Sequence, residues 1–497
     1  MRRELLVNAT PPETRVAATE DGKTVEVLHE RRGHQGLVGN VYLARVHRIL
    51  PGMHAAFVSL GLERDAFLYV EDLLPRSVEA DEEESETHAG GTPEGGPSGF
   101  NRIEDLLREG QDVVVQVTKD PLSGKGPRVT ANIALPGRAL VCLPGARGIG
   151  VSRRITDEAE RERLRRILEE FGPGAGWIAR TAAREGEVSE FLADKNYLED
   201  LASRIRSRSE KASGPLLLHR ELDLALRSVR DLVTPDFAAI RVDDGKTLER
   251  ISEFLAAAAP DLAPRVELYE DLEPLFERFG VEREIESALK ARVHLSSGGS
   301  VVIHQTEALV AIDVNTGKFV GSDALEETVF STNLEAVAEI ARQIRLRDLG
   351  GILVVDFIDM EDPEHRREVV EQFEKELARD RARTRLLQIS EFGLVEITRQ
   401  RSRGNLEKIL TSPCPCCGGA GRVKTDLSVA LDLRRRLLAA ASLYAPGETV
   451  CLRVRSSLAR LLAEEEPDLL PEIEGRLQVK LDLIEDDTLP PQDYEIL

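Results

Sequence analysis

Two aspartates stand where two apolar segments end, in the second half of the chain. The segment EALVAIDVNTG carries Asp313, and LGGILVVDFIDM carries Asp356. A carboxylate at the end of a buried strand costs free energy unless an opposite charge lies against it. Two such carboxylates arriving together suggest a hard divalent cation, Mg²⁺, with coordination positions open for a phosphate. The leading chemistry is therefore phosphoryl transfer or phosphodiester cleavage.

The segment between the two strands has the pattern of a helix over residues 326–348. Its apolar residues lie on one face at helical spacings: Val329, Val337, Ile340 and Ile344. Gly350 and Gly351 end the helix, and the next strand follows at once. If the two strands are parallel, both end at one edge of the sheet, where the aspartates converge. The alternative is that the aspartates cap their strands or pair with Arg345 or Arg347.

Three of the five cysteines stand together in the segment TSPCPCCGGAGRV. Cys414 and Cys417 form a CxxC pair, which can supply two of the four ligands of a tetrahedral Zn²⁺. No second CxxC or suitably spaced CxxH occurs in the sequence, so a zinc site needs the same pair from a second copy of the chain. The rival interpretations are a redox pair or inert thiols. A redox CxxC normally opens a helix in a thioredoxin-like unit, whereas Gly418 and Gly419 follow here.

Length and charge bound the remaining possibilities. At 497 residues the chain is too long for one core, and about three or more structural units are expected. The net charge of −22 disfavours nucleic-acid binding, but the acidic excess is uneven. Residues 79–94 carry seven acids and no Lys or Arg, whereas residues 379–403 carry seven Arg and three acids. No apolar run approaches the ~20 residues that span a bilayer, and no signal-peptide core is visible, so a cytoplasmic protein without membrane contact is expected.

Five short strand-like segments between residues 37 and 130, with an acidic and disordered loop at 76–100, match a small OB-type barrel. Such barrels bind single strands through surface aromatic and lysine side chains. The candidate contacts lie on neighbouring strands and near the end of the barrel: Phe57, Phe67, Lys119 and Lys125. The alternative is that both phenylalanines belong to the core.

Several long segments resemble the ribonuclease E/G family of endoribonucleases, along nearly the whole chain. The segments that carry the resemblance are ELLVNATPPETRVA, GNVYLARVHRILPGMHAAFV, VQVTKDPLSGKGPR, GVSRRI, IARTAA, TEALVAIDVNTG, NLEAVAEIARQIRLRDLGGILVVDFIDM, FGLVEITRQR and CPCCGGAGR. The resemblance implies a multidomain α/β fold with an OB-fold barrel inserted in a ribonuclease-H-like domain. The implied domains are ribonuclease-H-like (1–36 plus 222–290), barrel (37–130), 5′-phosphate sensor (131–221), DNase-I-like catalytic (291–410), zinc-link (411–424) and small C-terminal oligomerisation domain (425–497).

The resemblance also implies a role for each candidate residue. The expected Mg²⁺ site consists of two carboxylate ligands and a supporting amide: Asp313, Asp356 and Asn315. The expected pocket for a 5′-monophosphate combines guanidinium and hydroxyl groups: Arg180, Thr181 and Arg383. The RNA contacts of the barrel are Phe57, Phe67 and Lys125. The zinc is expected to be structural and shared between two subunits through Cys414 and Cys417.

The implied function is Mg²⁺-dependent hydrolysis of single-stranded RNA by in-line attack of water. Substrates with a 5′-monophosphate are favoured, and the products carry a 5′-phosphate and a 3′-hydroxyl. Processing of ribosomal RNA 5′ ends and decay of mRNA are the expected roles, performed by a homodimer or a higher homo-oligomer. One alternative is a non-catalytic RNA-binding or ribosome-assembly factor, which would not need the aspartates. Another is a thiol-regulated protein built on the cysteine cluster.

The sequence departs from the family pattern at three places. Cys416 adds a third thiol inside the CxxC pair. His304 stands where an Asp is expected in relatives. The acidic insert at 79–99 is longer and more charged than usual, and it lies in the predicted barrel.

Overall fold

A computed structural model describes residues 2–33, 36–74, 78, 102–121, 125–317, 325–387, 393–400 and 405–497. The chain divides into two compact units, Met1–Ile409 and Leu410–Leu497. Apart from Val78, the predicted acidic loop at 76–100 lies outside the described residues.

The strands are β1 (Arg3–Ala9), β2 (Glu13–Glu20), β3 (Lys23–Arg31), β4 (Val41–Leu50), β5 (Ala55–Ser59), β6 (Ala66–Tyr69), β7 (Asp112–Lys119), β8 (Arg128–Thr130), β9 (Leu135–Pro136), β10 (Leu140–Leu143), β11 (Ile149–Val151), β12 (Gly176–Ala179), β13 (Leu216–His219), β14 (Phe237–Val242), β15 (Val266–Leu268), β16 (Arg292–His294), β17 (Ser300–Gln305), β18 (Leu309–Asn315), β19 (Gly351–Asp356), β20 (Thr384–Leu386), β21 (Leu394–Arg399), β22 (Thr449–Val454), β23 (Lys480–Glu485) and β24 (Glu495–Ile496). The helices are α1 (Ile103–Leu106), α2 (Glu158–Glu169), α3 (Val188–Lys211), α4 (Leu224–Leu232), α5 (Gly245–Ala258), α6 (Leu275–Arg278), α7 (Val281–Ala288), α8 (Leu325–Leu346), α9 (Pro363–Leu377), α10 (Leu406–Leu410), α11 (Asp426–Ala439), α12 (Ser456–Arg460) and α13 (Leu469–Leu477).

The first sheet draws its strands from two separate stretches of the chain, in the order β15-β14-β1-β2-β3. Strands β1, β2 and β3 form an antiparallel meander, and β14 pairs in parallel with β1. Asp21 and Gly22 make the two-residue turn between β2 and β3, and both have positive φ, as a tight hairpin turn requires. An Asp-Gly dipeptide is a typical sequence for such a turn.

A closed barrel is formed by β4, β5, β6, β8 and β7, because β7 pairs with both β8 and β4. Its interior contains alternate residues of each strand, such as Ala56 and Val58 on β5 and Leu68 on β6. A sixth strand, β13, pairs antiparallel with the outer edge of β4. The sequence analysis assigned this strand to the segment that follows the barrel, because its long-range pairing leaves no local signal.

The sheet that carries the two aspartates has the order β16-β17-β18-β19-β21-β20. Helices α8 and α9 cover one face, and the predicted apolar face of α8 is fully buried there. Along β18, buried and exposed residues alternate, with Leu309, Ala311, Asp313 and Asn315 all exposed. The second face of this sheet is thus open at these strands and available to a ligand.

The second unit has a three-stranded sheet in the order β23-β22-β24, with α11, α12 and α13 packed around one apolar core. Strands β22 and β23 pair in parallel. Within the described ranges of the whole chain, no helix combines the length and the apolar character needed to cross a lipid bilayer.

Candidate active site and RNA-binding surface

The two aspartates stand side by side on neighbouring strands. β18 and β19 run parallel, and Asp313 is the direct register partner of Asp356. Neighbouring strands lie about 4.8 Å apart, so two exposed carboxylates share one small area of the open face. The structure therefore confirms that the two aspartates converge, as the strand–helix–strand pattern predicted.

The pair carries like charge that the protein compensates only slightly. Partial burial, followed by the charges of Asp313 and Asp359, raises the pKa of Asp356 above its ordinary value. The Asn315 side chain donates a hydrogen bond from Nδ2 to Asp313 Oδ2 at 2.8 Å. Both carboxylates therefore favour a bound cation over a neighbouring anion. We call Asp313, Asn315 and Asp356 the carboxylate edge.

The alternative pairing of the aspartates with Arg345 or Arg347 is wrong. Arg345 donates to Glu20 of β2 at 2.8 Å, and the Nε of Arg347 donates to Gln343 at 2.6 Å. Both guanidinium groups are thus engaged away from the carboxylate edge.

A buried amide holds the segment that follows Asp356, and the sequence analysis missed it. Asn333 of α8 is fully buried; its Nδ2 donates to the carbonyl of Ile358 at 2.9 Å, and its Oδ1 accepts the Ile358 N–H at 3.2 Å. These two bonds fix the backbone directly after the second aspartate. The available signal was a lone asparagine four residues from Val329 and Val337 on the apolar face of a helix.

The donor set fits Mg²⁺ better than it fits a metal that needs a full protein cage. Mg²⁺ is commonly held by one or two carboxylates, with water and phosphate oxygens in the other positions. Among the residues that the structure describes, no group of three or more His, Cys, Asp or Glu is arranged to hold a metal ion. Two carboxylates in register, one of them with a raised pKa, match the one or two carboxylate ligands with which proteins commonly hold Mg²⁺.

A second surface crosses the barrel as one row of side chains on five strands. Register partners connect its members in sequence: Arg48, Phe57, Phe67, Arg128 and Lys119. Neither phenylalanine belongs to the apolar core of the barrel, so the alternative that both are core residues is wrong. Lys125 is also exposed, shortly before β8. Two aromatic rings flanked by cations are the chemistry that single-stranded nucleic acids bind.

The rings of this row continue onto a third aromatic residue. Phe57 and Phe67 meet edge to face at 5.4 Å between centroids, and Phe67 meets Tyr69 in the same way at 4.6 Å. The sequence analysis missed Tyr69, Arg48 and Arg128. Tyr69 follows the alternation of β6, which was a usable signal, but Arg128 joins the row only through the pairing of β6 with β8.

Arg180 and Thr181 follow β12 at the edge of a four-stranded sheet in the order β11-β12-β10-β9. Strands β11 and β12 are parallel, so Ser152, which follows β11, lies beside them. The hydroxyl oxygens of Ser152 and Thr181 are 3.1 Å apart. The main-chain N–H of Arg180 donates to the carbonyl of Ala139 at 2.8 Å. Two hydroxyls and the main chain of Arg180 thus meet at the carboxyl ends of parallel strands, a position that suits an anion.

The Arg180 guanidinium is already paired. Its Nη2 donates to Asp231 Oδ1 at 2.7 Å, and Nη1 donates to the carbonyl oxygen of Gly137. Arg230 holds the same carboxylate through two bonds of 3.0 Å each. Burial opposes ionisation of Asp231, but hydrogen bonds and charge from Arg230 and Arg180 hold its pKa well below the ordinary value. We call Arg180, Arg230 and Asp231 the arginine cluster.

The loop that carries Arg383 lies against this cluster. Arg381 donates from Nη1 to the carbonyl oxygen of Asp231 at 3.0 Å, and Arg154 donates to the carbonyl oxygen of Arg381. Arg383 itself stands directly before β20, and its carbonyl accepts the N–H of Gln400 at 2.9 Å. The structure therefore brings the loop of the carboxylate-bearing sheet to the predicted phosphate pocket.

The cysteines of the second unit lie in a turn stabilised by main-chain N–H groups. Gly421 donates to Cys417 Sγ at 3.3 Å, and the N–H groups of Cys417 and Cys416 lower the pKa of the Cys414 thiol. The lowered pKa favours the thiolate of Cys414, which is the form of cysteine that binds Zn²⁺. Cys414 and Cys416 are exposed, and helix α11 begins only at Asp426, so the CxxC pair does not open a helix.

Comparison with known proteins decides the family. The sequence profile described as "Ribonuclease E/G family" matches residues 134–402. The chain is 42% identical to Ribonuclease G of Escherichia coli (strain K12), over 95% of each protein. This chain belongs to the ribonuclease E/G family.

Other members of the ribonuclease E/G family show the same correspondence. Ribonuclease G of Haemophilus influenzae is 41% identical over 95% of this chain and 94% of its own length. Ribonuclease E of Escherichia coli (strain K12) is 36% identical over the whole chain, which corresponds to 46% of that longer protein. A second profile, described as "RNase E/G, Thioredoxin-like domain", matches residues 413–497. The sequence analysis did not expect a thioredoxin-like domain here, because the cysteine pair does not open a helix.

Proposed function

We propose that this chain, an endoribonuclease by its family, hydrolyses single-stranded RNA with Mg²⁺ and favours substrates that carry a 5′-monophosphate. The observation that supports the proposal most strongly is the register pairing of Asp313 with Asp356 on an open sheet face. Two like charges at that place are unfavourable for the apo protein and become useful when a cation and a phosphodiester arrive.

The carboxylate edge performs the cleavage. Asp313 and Asp356 hold the cation, and Asn315 orients the first carboxylate through its hydrogen bond. Bound Mg²⁺ supplies charge neutralisation at the scissile phosphate and lowers the pKa of water. Asn333 keeps the backbone after Asp356 in place, so that the second carboxylate does not turn away. In-line attack of water on the phosphorus breaks its bond to the 3′ oxygen, so the products carry a 5′-phosphate and a 3′-hydroxyl.

The 5′-monophosphate binds beside the arginine cluster. Arg180 offers a planar guanidinium that suits two phosphate oxygens, and Thr181 offers a hydroxyl to a third. In the free protein Asp231 takes the place of the phosphate, since it accepts from Arg180 Nη2 at 2.7 Å. Arg383, on the loop that adjoins the cluster, completes the pocket. A triphosphate is too large for this set of donors, and a 5′-hydroxyl lacks the charge to displace the carboxylate.

The barrel binds the RNA strand itself. Bases stack on Phe57 and Phe67, while Lys119 and Lys125 contact phosphates at the exposed end of the barrel. In this proposal the bases stack on the barrel, whereas the strand is cleaved on the open face of the sheet that carries the two aspartates. The domain division given by the sequence stays our proposal for how these tasks are distributed.

The cysteine turn makes the protein an oligomer. Cys414 and Cys417 from each of two chains complete a tetrahedral site, which predicts half an equivalent of zinc per chain. A tightly bound zinc measured at this ratio in purified protein supports the shared site. Zinc at one equivalent, or none in a protein that still dimerises, contradicts it.

The physiological substrates that we propose are precursors of ribosomal RNA and mRNA, in the cytoplasm. The names of the relatives state only that they are ribonucleases, and RNA processing is the role they support. Neither role requires a membrane.

Three RNAs that differ only at the 5′ end test the proposal. A short single-stranded RNA is prepared with a monophosphate, a triphosphate or a hydroxyl, and cleavage is followed with and without added Mg²⁺. We expect cleavage only with Mg²⁺, and the fastest rate for the monophosphate. RNA that is bound but never cut would favour the non-catalytic alternative, and equal rates for all three ends would remove the 5′-phosphate role.

A further inference from the structure

Beside the phenylalanine pair, the barrel carries a stacked Tyr–Arg pair, Tyr69 and Arg128, to which the proposed function assigns no role. Tyr69 ends β6 and is 36% exposed, which is high for an aromatic ring on a strand. The guanidinium carbon of Arg128 lies 4.6 Å from the centre of the Tyr69 ring. A planar cation thus covers one face of an exposed aromatic ring, at the end of the Phe57–Phe67 row.

A buried acid fixes the orientation of this guanidinium. Asp72 is 6% exposed and accepts from Arg128 Nη2 at 2.9 Å and from Nε at 3.3 Å. Both bonds use one edge of the guanidinium, so Asp72 covers neither of its flat faces. One of those faces lies against the Tyr69 ring. The side chain of Arg128 nevertheless remains 29% exposed, so solvent reaches it. A fixed guanidinium loses little conformational entropy when a flat ligand stacks on it.

We infer that Tyr69 and Arg128 form a further stacking subsite for one nucleobase of single-stranded RNA. The inference rests on the proposed RNA binding by the barrel and extends it by one nucleotide beyond Phe57 and Phe67. The continuous edge-to-face contact from Phe57 through Phe67 to Tyr69 places the new subsite next to the phenylalanine pair. Arg128 contributes both a flat face for the base and a positive charge for the adjoining phosphate.

Positional fluorescence quenching tests this subsite. A single-stranded RNA with a 5′-hydroxyl receives 2-aminopurine at one position at a time, and binding is measured without added Mg²⁺ so that the RNA stays intact. Wild-type protein should quench a run of adjacent positions. Tyr69→Ala should lose quenching at one end of that run and bind about fivefold more weakly or worse.

Further variants separate stacking from charge and from folding. Arg128→Lys keeps the charge but not the flat face, so it should also weaken binding while the salt dependence of the Kd stays the same. The matched control is Arg45→Lys, since Arg45 pairs with Asp112 on the same barrel at 2.9 Å but covers no ring of the described residues; it should bind as wild type does. Tyr69→Leu keeps apolar volume without a ring and should behave as Tyr69→Ala does, with an unchanged Tm.

The outcomes distinguish the inference from the function on which it rests. If Phe57→Ala weakens binding while Tyr69→Ala and Tyr69→Leu bind with wild-type Kd and quench at every wild-type position, the further subsite does not exist. If the wild-type protein itself neither binds nor cuts single-stranded RNA, the proposed function is overturned together with the subsite.

Discussion

The carboxylate edge and the arginine cluster treat charge in opposite ways. At the edge, two aspartates face each other across adjacent strands. Among the described residues, the one side chain that donates a hydrogen bond to their carboxylates is that of Asn315. In the cluster, Asp231 already lies between Arg180 and Arg230. The first site is a pair of like charges with little compensation from the protein, and it should bind a cation readily. The second is neutralised internally, so a ligand must displace one of its own ion pairs.

This difference would explain how one chain combines the strong metal requirement with the milder 5′-monophosphate preference that we propose. A metal that fills an uncompensated site contributes to every turnover. A phosphate that replaces a carboxylate gains only the difference between two similar interactions, so its benefit is smaller. Substitutions in the carboxylate edge should therefore abolish RNA cleavage, whereas substitutions in the arginine cluster should only change its rate or its preference for the 5′ end.

The largest effect is expected at the edge. Asp313→Asn should lower the cleavage rate at least about a thousandfold, because metal stabilisation of the transition state is worth several kcal/mol. Affinity for uncut RNA should stay near the wild-type value, since the barrel is untouched. The measurement is single-turnover cleavage of a labelled single-stranded RNA in Mg²⁺, with Kd determined separately.

Glu396→Gln is the matched control for this change. Glu396 lies exposed on the same face of the sheet, on β21, and has no proposed role. It should retain cleavage within a few-fold of wild type. Normal cleavage by Asp313→Asn would mean that the catalytic site lies elsewhere.

The next largest effect concerns stability. Asp231→Asn leaves the buried guanidinium of Arg230, which is 7% exposed, with a weaker partner, and should cost about 3 kcal/mol of unfolding free energy. The low pKa of Asp231 means that its contribution is complete above the ordinary carboxyl range and is lost as the pH falls toward the folded-state value.

Denaturant unfolding of both proteins across pH measures this contribution. The difference in unfolding free energy between wild type and Asp231→Asn should stay constant from about pH 8 to 5 and shrink below about pH 4. A difference that grows in acid would contradict the ion-pair account, because it would mean that the folded protein prefers the protonated acid.

A smaller effect is expected for the phosphate preference. Arg180→Gln should reduce the ratio of cleavage rates for monophosphate and hydroxyl ends to about one, a loss of roughly tenfold or more. The rate on the hydroxyl RNA should stay nearly unchanged. Arg204→Gln is the control, because Arg204 pairs with Asp200 on the exposed side of α3. An equal loss on both RNAs would place Arg180 in folding rather than in recognition.

The smallest effect is expected for a single hydroxyl. Thr181→Val removes one neutral hydrogen-bond donor and should lower the monophosphate preference about threefold to tenfold. Its Ser152 neighbour keeps one hydroxyl in the pocket. Rates are compared for the same RNA with monophosphate and hydroxyl ends, and a preference equal to that of the wild type would exclude Thr181 from the phosphate contact.

The sequence predicted those parts of the site that follow local rules. Asp313 and Asp356 converge because each lies at or near the carboxyl end of its strand and one helix joins the two strands. Phe57 and Phe67 share a surface because strand residues alternate between faces. The pairing of Arg180 with Asp231, far apart in the chain, follows no such rule, since it depends on where helix α4 lies after it packs on β2 and β3. Arg128 likewise enters its row only through the parallel pairing of β6 with β8.

The core beneath the β9–β12 sheet has a mechanical consequence. Val41 and Leu43 of the barrel strand β4 pack in the same apolar cluster as Trp177 of β12 and Leu218 of β13. A rotation of the barrel against the pocket of Arg180 would open this cluster and expose its side chains to water. Barrel and pocket are therefore expected to move as one body, so an RNA bound at both places as we propose would have its 5′ terminus at a fixed distance from the bases on the barrel.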